Sequence, residues 1–126
     1  MQTYSLSMTT STDYWGAMYM NIGNNNSGEN MRLLFEAILT LETVEECNAF
    51  FHDICTIQEM KAMKERFEVA RMLDDGLTYV EICKSTGVSS ATISRVKKYL
   101  EYGADGYRIS LERLRKKGVL PPKDRS

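Results

Sequence analysis

Three times along this chain a threonine is followed three residues later by a glutamate: Thr43 and Glu46, Thr56 and Glu59, Thr78 and Glu81. Each pair can form a capping box, in which the hydroxyl takes the N–H of the third helical residue and the carboxylate reaches back to the cap. Behind each box the apolar residues recur at three- and four-residue spacing, the period of an α-helix. No stretch alternates as a half-buried strand must. These constraints leave an all-α fold as the expectation.

The stripes predict which faces are covered. Leu33, Leu34, Ala37, Ile38 and Leu41 share one side of a first helix. Cys47, Phe50, Phe51 and Ile54 form the expected buried face of the second. Met60, Met63, Phe67, Ala70 and Leu73 do the same for a longer third helix, which Asp74-Asp75-Gly76 ends, glycine supplying a left-handed C-terminal turn. The 126 residues, 43% of them apolar, suffice for one domain and one core. Residues 1–28, rich in Ser, Thr, Asn and Gly, read as a disordered N-terminal extension, residues 29–118 as the helical domain, and residues 119–126 as a flexible tail. Met20 and Met31 are alternative start positions.

Several function classes are disfavoured. No apolar run approaches the ~20 residues of a membrane span, and residues 1–20 carry no cationic signal-like start, so the expected location is the cytoplasm. Three scattered cysteines, Cys47, Cys55 and Cys83, make neither a disulfide framework nor a zinc spacing. His52 and Cys55 lie three apart on an expected helix, but a surface histidine beside small thiols explains them equally, and no metal is assigned. One histidine, no nucleophile–base pair and no phosphate-binding glycine loop leave no catalytic residue to name, so an enzyme is not expected.

The charge is unevenly placed. Residues 1–83 hold five Lys and Arg against thirteen Asp and Glu, net −8; residues 84–126 hold eleven against four, net +7. The last third is therefore suited to face an anion. Within it, Thr78 caps a short helix ending near Thr86, Gly87 makes a tight turn, Val88 plugs the gap, and Ser89 caps the next helix. Ile82 and small Cys83 face Ile93 and Val96. This is a helix-turn-helix, spanning residues 78–99. Its second helix leaves Ser90, Ala91, Ser94, Arg95 and Lys98 outward. Arg95 suits guanine or a phosphate; Lys97 and Lys98 suit phosphates. The expected partner is double-stranded DNA. The alternative is a helical protein-interaction module that keeps the fold without tight DNA binding.

Four blocks of sequence resemble one family. The segments running Leu34 to Leu41, Phe50 to Ile57, Arg66 to Leu73 and Ala91 to Lys97, with Tyr102-Gly103-Ala104-Asp105-Gly106-Tyr107, are similar to the YerC/YecD subgroup of the Trp-repressor superfamily over about residues 29 to 116. The resemblance implies an intertwined helical homodimer and a DNA-binding transcriptional regulator, a repressor of bacterial type. It places DNA contacts at Val80, Cys83, Ser90, Ala91 and Ser94; Val80 and Cys83 are poorer contacts than the polar residues of Trp repressor. It also sets Thr56, Arg66, Thr92 and Arg95 at the positions that hold the L-tryptophan corepressor. Against that ligand stand Val96, where Trp repressor has glycine, and Tyr99, where it has a serine. A bulky β-branched residue crowds a flat indole, and a lost polar partner costs about 1–3 kcal/mol. The expectation is therefore a regulator without a cofactor, L-tryptophan being the disfavoured candidate.

Overall fold

Thr56 shows how the helices are started. Its hydroxyl accepts the Glu59 N–H at 3.1 Å, and the Glu59 carboxylate accepts the Thr56 N–H at 2.8 Å. Thr78 and Glu81 repeat the exchange. At Thr43 the hydroxyl accepts the Glu46 N–H at 3.0 Å, but the Glu46 carboxylate reaches one residue further back, to the Glu42 N–H at 2.9 Å. In the computed structural model, which describes residues 25–123, these caps open three of six helices: α1 (Asn25–Leu39), α2 (Val44–Ile54), α3 (Ile57–Asp74), α4 (Tyr79–Thr86), α5 (Ser90–Tyr102) and α6 (Gly106–Lys116). Among the described residues there is no strand, and no helix is long and apolar enough to cross a membrane.

The chain divides into two compact units, residues 1–53 and 54–126. In the first, α1 begins at Asn25, four residues ahead of the boundary read from the Asn-Ser-Gly run. A helix tolerates poor formers in its first turn, where the N–H groups have no intrahelical partner to lose. The rest of the expected N-terminal extension lies outside the described residues. The apolar stripes of this unit are present but not enclosed: Leu33 is 69% exposed, and Leu34, Ala37, Ile38 and Leu41 are half-buried. None of the α2 residues is buried, so the expected buried face of Cys47, Phe50, Phe51 and Ile54 is apolar without being enclosed by this chain. The Phe50 and Phe51 rings meet edge-on at 5.4 Å. Cys55 lies past the end of α2, so it does not pair with His52 on one helix.

The second unit holds the core. Val69, Ala70 and Met72 of α3 pack with Ile82, Val88, Ile93, Val96 and Leu111. Here the stripe expected of α3 is only half right. Ala70 is buried and Phe67 and Leu73 pack at the margin, but Met63 is 40% exposed. α4, α5 and α6 all pack on this helix, and its buried residues lie in its C-terminal half. Being enclosed from more than one side, that half also buries Val69 and Met72, which flank the stripe.

A chain of ion pairs closes the far end. Arg115, on α6, donates to Asp74 at 2.7 Å and Asp75 at 2.9 Å, and to the Pro121 carbonyl at 2.8 Å. Lys123 meets Asp74 at 2.8 Å, and Leu120 packs on the core. Pro121 and Lys123 are thus tied to the Arg115–Asp74 cluster, within the stretch read from the sequence as a tail; residues 124–126 lie outside the described residues. At the other turn, Gly103 is required because a β-carbon would strike the Tyr99 carbonyl. Arg108 then donates to the Leu100 carbonyl at 3.0 Å and ties α6 to the end of α5.

Burial pulls the Asp74 carboxyl up, but its bonds to Lys123 and Arg115 outweigh that and hold it below the ordinary value. Glu68 is held down by its hydrogen bond to Arg71, and Glu59 and Glu81 by the threonine N–H groups they accept. Groups lowered in the folded state add stability above their unfolded pKa and lose it as pH falls through the folded one. The urea midpoint should therefore drop as pH falls from about 5 to about 3. Asp74→Asn should be less stable at neutral pH and show a shallower fall; an unchanged slope would remove Asp74 from this account.

Candidate nucleic-acid interface

The geometry of α4 and α5 follows from a few local bonds. Gly87 adopts φ +73°, and its N–H reaches the Cys83 carbonyl, ending α4. Thr86 stiffens the same turn: its hydroxyl donates to the Ile82 carbonyl at 2.7 Å and accepts the Val88 N–H at 3.1 Å. Val88 then plugs into the core at 8% exposure. Ser89 caps α5, accepting the Thr92 N–H at 3.2 Å. The residues expected from the sequence to form this helix-turn-helix do so.

Beneath the motif, Ile82, Ile93 and Val96 are almost wholly buried. Each such side chain contributes about 1.5–3 kcal/mol through removal from water. Their burial fixes which way α5 presents its other side. Ser90, Ala91, Ser94, Arg95 and Lys98 are all exposed, as are the cap Ser89 and, on α4, Val80. No acidic residue occupies the first turn of α5. Its partial positive charge is therefore open to an anion. Cys83 is half-buried and packs at the margin of the core, consistent with its reading as a small residue where the helices cross. Lys97 is exposed, but its ammonium sits over the Tyr79 ring, 5.8 Å from the centroid, joining α5 to the start of α4.

The expected ligand residues separate into two pairs. Arg66 and Arg95 line one open cleft of about 600 Å³ with Val96, Lys98, Tyr99 and Tyr107. Three of these are cationic and none is acidic. Burial pushes the Tyr107 phenol up, with Arg66 opposing. Thr56 and Thr92 do not line the cleft. The Thr56 hydroxyl serves the α3 cap, and the Thr92 hydroxyl lies 3.2 Å from that of Ser89. Tyr107 went unnoticed in the sequence; only its place in the Gly-Ala-Asp-Gly-Tyr block hinted at it.

Changing Gly87 tests the turn directly. Nothing lies within 4 Å of a β-carbon built there. The cost of Gly87→Ala is therefore conformational, about 1 kcal/mol, measurable by urea denaturation. An unaltered midpoint would mean that the left-handed turn does not constrain the motif.

Comparison with known proteins gives a consistent result. The family model described as Trp repressor protein matches residues 29–115. The chain is 50% identical to YerC of Bacillus subtilis, a protein of uncharacterised function, over 88 residues, covering 70% of this chain and 85% of YerC. It is similar in structure to a TrpR-like protein of Eubacterium eligens, with TM-score 0.68 and 47% identity over 75% of this chain and 94% of that one. A Trp-repressor candidate from Staphylococcus aureus matches with TM-score 0.66 and 46% identity, covering 68% and 86%.

Proposed function

Since the chain belongs to the Trp repressor family, we propose that it is a sequence-specific, DNA-binding transcriptional repressor of the cytoplasm, reading the major groove with α5. One observation carries this. The inner side of α5 is locked into the core by Ile93 and Val96, while Ser90, Ala91, Ser94, Arg95 and Lys98 stand open beside an acid-free helix N-terminus. Small residues at the tip let the backbone approach base edges, and the cations behind them meet phosphates. Ser89, Val80, Cys83 and Lys97 complete the proposed DNA-facing set, Lys97 from its position over Tyr79.

The active species is a homodimer. Its motivation is the uncovered apolar surface of the first unit, where Leu33, Leu39 and Val44 are each more than two-thirds exposed. Surfaces of this kind mark a protein–protein contact. A two-fold pair of motifs would meet half-sites about one DNA turn apart.

L-tryptophan is not required. The Thr56 and Thr92 hydroxyls are occupied by helix caps, and Tyr99 lines the cleft that Arg66 and Arg95 share. The cationic cleft suits an anion, but the repressor is proposed to work without a cofactor.

Fluorescence anisotropy with mixed-sequence duplex DNA in a salt series is the test. The logarithm of affinity should fall steeply with that of salt, and L-tryptophan should change nothing. Arg95→Ala should weaken binding by about 1–3 kcal/mol with the fold intact. A shallow salt dependence would instead favour the protein-interaction module. Sedimentation at micromolar concentration should give twice the monomer mass; a monomer would sink the dimer.

A further inference from the structure

The outer face of α5 carries a short chemical alphabet. From Ser90 to Tyr99 its exposed residues are Ser90, Ala91, Ser94, Arg95, Lys97, Lys98 and Tyr99, none of them Asn, Gln, Asp or Glu. The one carboxylate of α5, Glu101, is exposed in its last turn, away from the N-terminal tip. In the major groove, adenine is held bidentately by Asn or Gln amides, and the cytosine amino group donates to a carboxylate. The leading part of this face has neither. Guanine is held by the fork of an arginine, and thymine is marked by its C5-methyl group, which packs against small apolar side chains such as alanine. This face has one of each, Arg95 and Ala91. Serine hydroxyls both donate and accept and rotate freely, so they discriminate weakly.

Position supports the same assignment. Ala91 is the second residue of α5, exposed, between the small exposed Ser90 and half-buried Thr92, with exposed Ser94 one turn on. A methyl on so short a stem makes contact only if the backbone comes close, and Ser90 and Ser94 leave room for that. Val80, 64% exposed on the first turn of α4, is a second apolar group on the motif and holds no phosphate. Ala91 and Arg95 are one helical turn apart, about 6 Å along the axis.

We propose that Ala91 reads thymine through its C5-methyl group while Arg95 reads guanine, so that each half-site carries both a thymine and a guanine. The inference rests on the DNA-binding reading and goes beyond it by naming the bases. The consequence is a protein that senses methyl groups in the groove as well as hydrogen-bonding edges.

The experiment uses the full chain. Duplexes with a randomised centre are selected for binding, and the best is remade with deoxyuridine for thymidine, which deletes only the methyl groups. Mixed-sequence DNA is measured alongside. The deoxyuridine duplex should bind about fourfold more weakly for each contacted methyl, the value of one buried methyl group. Mixed-sequence binding should stay the same. Ala91→Asn, at an exposed site, should move the selected base from thymine toward adenine with the salt slope unchanged. Equal affinity for the thymine and uracil duplexes, or an Ala91→Asn protein that selects the same sequence, would overturn the proposal while leaving DNA binding in place. Failure to bind mixed-sequence DNA at low salt would remove both.

Discussion

The apolar lock formed by Ile82, Val88, Ile93 and Val96 is the contact on which the rest depends. A helix of thirteen residues is marginal in water by itself. Tertiary burial of one side is what holds α5 helical and fixes its rotation. Were Ile93 and Val96 not both almost wholly buried, the exposure of Ser90, Ala91, Ser94 and Arg95 would have no defined direction. The turn at Gly87 and the Thr86 hydroxyl bonds set the angle, but the lock sets the face.

That motif was legible in the sequence because every part of it is local. A cap, a glycine turn and two apolar residues three apart are all readable within about twenty residues of chain. The caps at Thr56 and Thr78 formed as expected for the same reason. The pairing of Arg115 with Asp74 and Asp75 was not legible, because the partners are about forty residues apart and nothing in composition matches one arginine to one aspartate. The ion pair of Lys123 with Asp74 is as remote in sequence. The cleft was half legible: Arg66 and Arg95 line it together, but Thr56 and Thr92 are committed elsewhere by short-range bonds that a resemblance does not reveal.

The α1 and α2 stripes are a different kind of case. Periodicity located the apolar faces correctly and could not say what covers them, since a hydrophobic stripe asks for burial without naming its partner. Periodicity also missed the side-on packing of α3. Val69 and Met72 lie off the single stripe because three helices, not one, pack on α3.

The division of labour within α5 has an evolutionary meaning. Residues that hold the helix and residues that face outward alternate along it, and the outward set takes no part in the buried core. Exposed substitutions away from caps usually change stability by no more than about 0.5 kcal/mol. Ala91, Ser94 and Arg95 can therefore vary almost without penalty to folding. Such a scaffold can drift to a new recognition specificity through single steps, each of which leaves a folded protein for selection to act on.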